Sequence, residues 1–284
     1  MASFCPSALA KLKEPRTMRY HPTYILAPEK DFCAKHDYLV IYVTRVNDTD
    51  RRDFFRRTLR KYANQYNFTL LFPLGLSSEN RVNEALKKEH IRWGDILQAD
   101  FHDTYRNLTL KTYAHSHFVS LNCTNVRVVL KVDDDIAWKI SFLFDYISNI
   151  PLDDNALHCG MAQFLWSDRN ISSKWYTTKE EYPEKYYPQY CLGPLYAATP
   201  STIAKMHVQT YNVPFLWLDD VFHTGILARE AGVSFGNLSI NVYPDNHTPF
   251  LRGEVVGQYT NSRKDMEALF QATNVNISAL HSLG

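Results

Sequence analysis

The stretch VVLKVDDDIAWKI, residues 128–140, sets an apolar, β-branched run against three adjacent carboxylates, Asp133, Asp134 and Asp135, before an apolar pattern resumes. Carboxylates packed this closely repel one another unless a cation or cationic side chains offset them. Oxygen-only ligands select hard ions such as Mg²⁺ or Mn²⁺, and an ion held by few carboxylates completes its shell with water and phosphate oxygens. The cluster therefore reads as a handle for a metal and a diphosphate. The competing reading makes one aspartate the N-cap of a helix over residues 136–149 and leaves the others solvated.

A second carboxylate pair, Asp219-Asp220, follows the apolar FLWL and opens a helical pattern. A carboxylate there could serve as a general base, or equally as an N-cap with an acidic first turn. Arg51, Arg52, Arg56, Arg57 and Arg60 crowd the start of another helical stretch, where guanidinium groups and helix N–H dipoles both favour phosphate. Such a run is also what a solvated helix face looks like. The aromatic-rich segment WYTTKEEYPEKYYPQY offers flat faces for sugar rings or a cover for the core.

These residues need a scaffold, and the pattern supplies one. YLVIYV at residues 38–43 is a continuous apolar run, as expected of a strand buried on both faces of a parallel sheet. Cap candidates Asp48, Thr49 and Asp50 then precede Phe55, Leu59 and Tyr62 at helical spacing. FTLLF, DILQADF and VRVVLKV read as further strands, with a polar helix after the first and a helix bearing Leu110, Ala114, Phe118 and Leu121 before the last. In the second half ALHCGMAQF and LYAAT read as strands, and DDVFHTGILAREAG as a helix stopped at Gly232. Strands alternating with helices predict an α/β fold with a mostly parallel central sheet. Residues 1–36, with Pro6, Pro15, Pro22 and Pro28, read as a stem or loosely ordered lead-in, and 37–284 as a single domain.

The chain of 284 residues is 45% hydrophobic and 14% aromatic, ample for a buried core. Its 31 basic and 30 acidic residues nearly cancel and show no basic block, which excludes a nucleic-acid partner. No run is long and apolar enough for a membrane span, and the N-terminus lacks a signal-peptide pattern. Five cysteines, at 5, 33, 123, 159 and 191, have no CxxC spacing, so zinc and redox-pair chemistry are not indicated, and one must stay unpaired if the rest form disulfides. Asn-x-Ser/Thr sequons begin at Asn47, Asn67, Asn107, Asn122, Asn170, Asn237, Asn246 and Asn276. That excess over random placement favours a lumenal or extracellular compartment.

Several segments, in order, resemble glycosyltransferase family 31, the β-1,3-galactosyltransferase and β-1,3-N-acetylglucosaminyltransferase group. RRDFFRRTL is similar to R-R-x-x-I-R-x-T-W, with Phe55 for Ile and Leu59 for Trp. FPLG resembles F-L-L-G, and WGDILQADFHDTYRNLTLKT resembles Y-G-D-I-I-Q-x-D-F-x-D-S-Y-x-N-L-T-L-K-T, the most specific match. LKVDDDIAW falls at the K-x-D-D-D-V motif, YPQYCLGPLYAAT at Y-P-x-Y-C-S-G-x-G-Y, and LDDVFHTG at E-D-V-Y-V-G with Asp219 for Glu. The resemblance runs over residues 38–270.

The resemblance implies a GT-A type, Rossmann-like fold, a UDP-sugar donor and a divalent cation, usually Mn²⁺. It further implies inverting transfer of a hexose or N-acetylhexosamine, galactose foremost, to a glycoprotein or glycolipid acceptor as a β-1,3 linkage in the Golgi lumen. By motif, Asp135 and Asp133 are assigned to the metal. Asp133 and Asp134, with Arg52, Arg56 and Lys111, are assigned to the donor, and Asp220 or Asp219 to the base. A family His that helps bind the metal is replaced by Gly257, leaving His247 as a substitute ligand, and Pro194-Leu195 stand where a glycine-bearing turn is usual. The family's N-terminal membrane anchor is not visible, so any membrane contact would come through such an anchor. The alternatives are a catalytically silent carbohydrate-binding relative and a metal-dependent phosphate-transfer enzyme.

Overall fold

In a computed structural model that describes residues 20–162 and 165–275, YLVIYV becomes the middle of a parallel sheet. The strands are β1 (Tyr24–Leu26), β2 (Tyr38–Val43), β3 (Phe68–Leu76), β4 (Ile96–His102), β5 (Val128–Asp133), β6 (Ile136–Trp138), β7 (Ala156–Ala162), β8 (Tyr190–Ala198), β9 (Ser234–Asn237), β10 (Ile240–Asn241) and β11 (Gly257–Tyr259). An eight-stranded sheet has the order β1-β4-β3-β2-β5-β8-β7-β9, and β10-β11-β6 form a small second sheet. The run β4-β3-β2-β5 is parallel, β8 is antiparallel to both its neighbours, β9 is parallel to β7, and β1 is antiparallel to β4.

Period-two alternation decides which layer each strand residue joins. Leu39 and Ile41 of β2 join Leu71 and Val129 in one core cluster, while Tyr38, Val40 and Tyr42 join Phe72 and Leu130 in another. The first cluster is covered by α3 (Leu108–Asn122), α5 (Pro200–Val208) and a π-helical segment, Val221–Leu227. The second lies under α1 (Thr49–Tyr66), α2 (Asn80–Trp93), α4 (Ile140–Ser148) and α8 (Arg263–Val275). The π-helical segment runs into α6 (Ala228–Glu230), and α7 (Thr248–Leu251) follows β10. Helices on both faces of a largely parallel sheet are the α/β arrangement expected.

Local chemistry fixes the element ends. Asp48 is the N-cap of α1, accepting from Arg51 N at 3.1 Å, and Asn67 closes that helix in the left-handed region at φ 51°. Thr199 caps α5 with Pro200 in its first turn. Gly232 follows α6 at φ +64°, as expected of a helix stop.

Three expectations need correction. The helix predicted over 136–149 starts at Ile140, because Ile136–Trp138 pairs with β11 as β6; its N-cap is Lys139, so no aspartate of the triplet caps it. Pro194 and Leu195 lie within β8, where Leu195 is fully buried opposite Val132, rather than in a turn. The described part of the expected lead-in, residues 20–36, is ordered into the fold. Tyr24 and Leu26 pair with β4, and Cys33 is bonded to Cys123 at the end of α3. A second disulfide, Cys159–Cys191, joins β7 to β8. Cys5, residues 1–19 and the Asn276 sequon lie outside the described residues. Asn47, Asn67, Asn170, Asn237 and Asn246 are exposed, and Asn107 and Asn122 half-buried.

Candidate active site

β5 ends at Asp133, whose register partner is Val43 at the carboxyl end of the parallel strand β2. Ligands of open α/β sheets bind beyond such strand ends. Asp133, Asp134 and Asp135 turn the chain from β5 into β6, and all three are half-buried. Period two puts the Lys131 side chain on the same face as Asp133. Its buried Nζ lies 2.6 Å from Asp133 Oδ1 and donates to Gly193 O at 2.7 Å. Burial disfavours the ammonium, but Asp133, Asp220 and Asp219 more than compensate and raise its pKa, so Lys131 stays charged.

The other two aspartates differ in company. Asp134 is held by Arg51, which donates to its carbonyl and places Nε 3.8 Å from its carboxylate; Arg51 also reaches Glu267 at 3.2 Å. Asp135 takes Thr260 N and Oγ1 on its own carbonyl, each at 3.0 Å, while its Oδ1 is buried with no hydrogen-bond partner. Burial, then the Asp134 charge, pushes Asp135 up to about 6. Burial, the largest influence, likewise raises Asp133 against the pull of Lys131, with Asp135 adding to the rise.

Asp220 meets the cluster over β8. It stands at the start of the π-helical segment with no side-chain capping bond, so neither carboxylate of the 219–220 pair is spent as a cap. π-Helical turns recur at functional sites, where they re-aim side chains. The Asp220 carboxylate lies flat on Gly193 of β8: a Cβ built there would fall 2.2 Å from Oδ1. Burial pushes Asp220 up to about 6, with Lys131 opposing and Asp219 adding. Asp219 turns inward, where Thr112 Oγ1 donates to its Oδ2 at 2.9 Å and His223 Nε2 stands 3.7 Å from Oδ1.

The structure thus gathers Asp133, Asp135, Asp219 and Asp220 around Lys131, with Asp134 turned to Arg51. Lys111 is nearby, its Nζ donating to Thr44 O at 2.8 Å and to Asp103 Oδ1 at 3.0 Å; burial raises the pKa of Asp134, and the charges of Arg51 and, more weakly, Lys111 oppose that rise. Arg52 and Arg56 are not part of the cluster, a correction to their expected donor contacts. Arg52 is fully buried and clasps Glu89 with two bonds of 2.7 Å, and Arg56 grips Asp95 at 2.8 and 2.7 Å. Their charges are consumed inside the fold. His247 is also elsewhere: its Nε2 meets Pro244 O at 2.7 Å in the turn before α7, rather than an aspartate. A Cβ at Gly257, where the family histidine would stand, meets Ile136 Cδ1 at 3.0 Å and Ile240 Cγ2 at 3.4 Å, a tight contact with apolar side chains.

Sequence reasoning overlooked Lys131 and Gly193. A lysine inside an apolar strand, two residues before a carboxylate and on its face, was the available signal for the first. The second has no local signal, because Gly193 meets Asp220 only through the fold.

The donor set suits a cation shared with a ligand. Among the described residues no three His, Cys, Asp or Glu side chains converge as a protein-only metal site requires. The orphaned, buried Asp135 Oδ1 nonetheless calls for a positive partner, and a hard cation with phosphate oxygens in its remaining positions fits that demand.

A family model described as galactosyltransferase matches residues 50–239. The chain is 30% identical over 233 residues to lactosylceramide 1,3-N-acetyl-beta-D-glucosaminyltransferase of Xenopus tropicalis, covering 75% of this chain and 60% of that protein. It is 30% identical over 206 residues to beta-1,3-galactosyltransferase 5 of Pan troglodytes, covering 70% of this chain and 68% of that one. For beta-1,3-galactosyltransferase 1 of Mus musculus the figures are 27% over 235 residues, 80% and 71%. The chain spans 60%, 58% and 56% of the lengths of the three lactosylceramide transferases that it matches. Among solved structures, the galactosyltransferase LgtC overlaps 82% of this chain and 95% of its own at 12% identity and a TM-score of 0.43. With its matched segment reaching from the start of α1 through the carboxylate cluster to the end of β9, the chain belongs to the galactosyltransferase family, as its likeness to glycosyltransferase family 31 implied.

Proposed function

We propose that the protein transfers a hexose or N-acetylhexosamine, galactose foremost, from a UDP-sugar to a glycan hydroxyl with inversion, forming a β-1,3 linkage. The observation that carries this reading is the carboxylate cluster joined through Lys131. Lys131 bridges Asp133, beside Asp135, and the carbonyl of Gly193, on which Asp220, unspent as a cap, lies. A divalent cation, Mn²⁺ in the first instance, would be held by Asp135 and Asp133 together with the donor diphosphate, and it supplies compensation for the charge that grows on the departing UDP. Asp220 accepts the proton of the attacking hydroxyl. The bond from that oxygen to sugar C1 forms as the bond from C1 to the diphosphate breaks on the opposite face, which inverts the anomeric centre. Lys131 holds Asp133 in place and lends its charge to Asp220 as well.

Two disulfides and five exposed sequons support an oxidising, lumenal setting, which we read as the Golgi, with a glycoprotein or glycolipid as acceptor. No helix among the described residues is long and apolar enough to cross a membrane.

The test is transfer from a panel of UDP-sugars to β-galactoside and β-N-acetylglucosaminide acceptors with and without Mn²⁺, scored by product linkage. A catalytically silent relative gives neither turnover nor a response to metal. A phosphate-transfer enzyme binds UDP-sugars no better than other nucleotides. Asp135→Ala is expected to weaken UDP binding in Mn²⁺ by on the order of 10-fold or more, read by calorimetry, while the melting temperature holds; unchanged affinity would remove Asp135 from the metal. Gly193→Ala must displace the Asp220 carboxylate, since nothing else accommodates a Cβ 2.2 Å from Oδ1. Its kcat/KM should fall by about 100-fold with UDP affinity retained, the scale of a misplaced reacting group.

A further inference from the structure

Tyr105–Asn107 form a short 3₁₀ turn leading into α3. Tyr105 is 51% exposed, and its ring stands edge-on to Trp217 at 6.4 Å, with the Arg106 guanidinium 3.7 Å over the same indole. Trp217 is buried and immediately precedes Leu218-Asp219-Asp220, and its carbonyl accepts Thr109 Oγ1 at 2.8 Å. Tyr105 is therefore fixed relative to the candidate base through one ring and one hydrogen bond. Burial raises the phenol's pKa, the Trp175 indole that faces it lowers it, and the carboxylates it senses are Asp220, then Asp219, then Asp133. Through Trp217, which immediately precedes Leu218-Asp219-Asp220, Tyr105 thus stands beside the base end of the cluster.

Trp175 is the second half-exposed aromatic here, also at 51%, and Lys174 covers it at 4.5 Å. It lies in the segment 165–189 that precedes β8, whose backbone is tied together by one arginine. Arg169 donates to the carbonyls of Thr177, Thr178 and Glu184 at 2.8, 2.6 and 3.1 Å, and also to Tyr182 O. Two rigidly mounted aromatic faces left in water beside a catalytic carboxylate contribute nothing to the core. They suit a pyranose, whose axial C–H bonds form an apolar face and whose hydroxyls form a polar rim.

We propose that Tyr105 and Trp175 form the acceptor subsite, on which the terminal β-linked pyranose stacks its C–H face and so presents its hydroxyl to Asp220. The inference rests on the transfer reading of this site and adds the surface that selects the acceptor. Donor contacts are not expected from either ring, because the diphosphate is assigned to Asp133 and Asp135.

The experiment is saturation-transfer NMR on the intact chain with methyl β-lactoside and methyl N-acetyl-β-glucosaminide as separate probes, which distinguishes a galactose-terminated from a glucosamine-terminated acceptor. At least one glycoside is expected to receive saturation on its ring C–H protons. That signal should fall about fivefold or more in Tyr105→Ala and Trp175→Ala and stay within about twofold in Tyr105→Phe, which keeps the stacking face. UDP binding in Mn²⁺ should match the wild type in all three variants. Retained saturation in Tyr105→Ala, or no binding of either glycoside to the wild type, overturns the subsite. Failure of the transfer reading looks different: the glycoside binds and responds to the variants, but UDP-sugars are neither bound nor consumed.

Discussion

Asp220→Asn is expected to lower the kcat for glycosyl transfer by about 1,000-fold, within the range assigned to a positioned general base, while UDP affinity in Mn²⁺ stays unchanged. The amide is nearly isosteric, so the fit against Gly193 survives and only proton acceptance is lost. The wild-type rate should also fall on the acid side. Burial pushes Asp220 up to about 6, and below that pH its carboxyl is protonated and cannot take the hydroxyl proton. The acid limb is therefore present in the wild type and absent in the Asn variant. Near-normal turnover in Asp220→Asn would move the base to another group, Asp219 first. Asp219 is less suited, because Thr112 already donates to one of its oxygens from the interior side.

Glu89→Ala carries the largest expected effect on stability. Arg52 is fully buried, and both its Nε and Nη2 bond Glu89 at 2.7 Å; Arg56 Nη2 reaches the same carboxylate at 2.8 Å. Burial, the largest influence, would raise the pKa of Glu89, yet the two guanidinium groups hold it below the ordinary carboxylate value. Removing the carboxylate leaves Arg52 charged in the interior with only carbonyl and hydroxyl acceptors. Breaking a buried pair in this way costs about 3–5 kcal/mol. The urea midpoint should drop accordingly, and Glu89→Gln should restore part of the loss. A cost below about 1 kcal/mol would mean that the bonds from Arg52 to Arg45 O, Val46 O and Thr49 Oγ1 suffice by themselves.

These two sites mark what sequence alone could reach. The strands β2 and β5 and the face of α1 were legible because burial on both sides, or on one helical stripe, leaves a periodic trace in the residues themselves. The acidic triplet at the end of β5 was legible because a strand terminus is a local event. What each arginine touches was not. Arg52 and Glu89 are 37 positions apart and sit on different helices, so the choice between a phosphate contact and an internal ion pair depends on how α1 packs against α2. The same holds for Lys131 and Gly193, 62 positions apart. Ile136–Trp138 was misread because three apolar residues fit either period; their pairing with β11, far along the chain, decides the matter. Leu121 was placed on the buried stripe of α3 but is 66% exposed, since the helix ends one residue later and its last turn overhangs the sheet's cover.

The two covalent links have an implication for biogenesis. Cys33 bonds Cys123 across 90 positions and Cys159 bonds Cys191 across 32, and neither loop interleaves with the other. During synthesis, the next thiol to emerge after Cys33 is its native partner, and the next after Cys159 is likewise its own. Among these four thiols, oxidation in order of appearance therefore yields the native pairing without reshuffling by an isomerase. Cys5 precedes Cys33 as a competitor for it, so replacing Cys5 with serine removes that opportunity for a wrong bond.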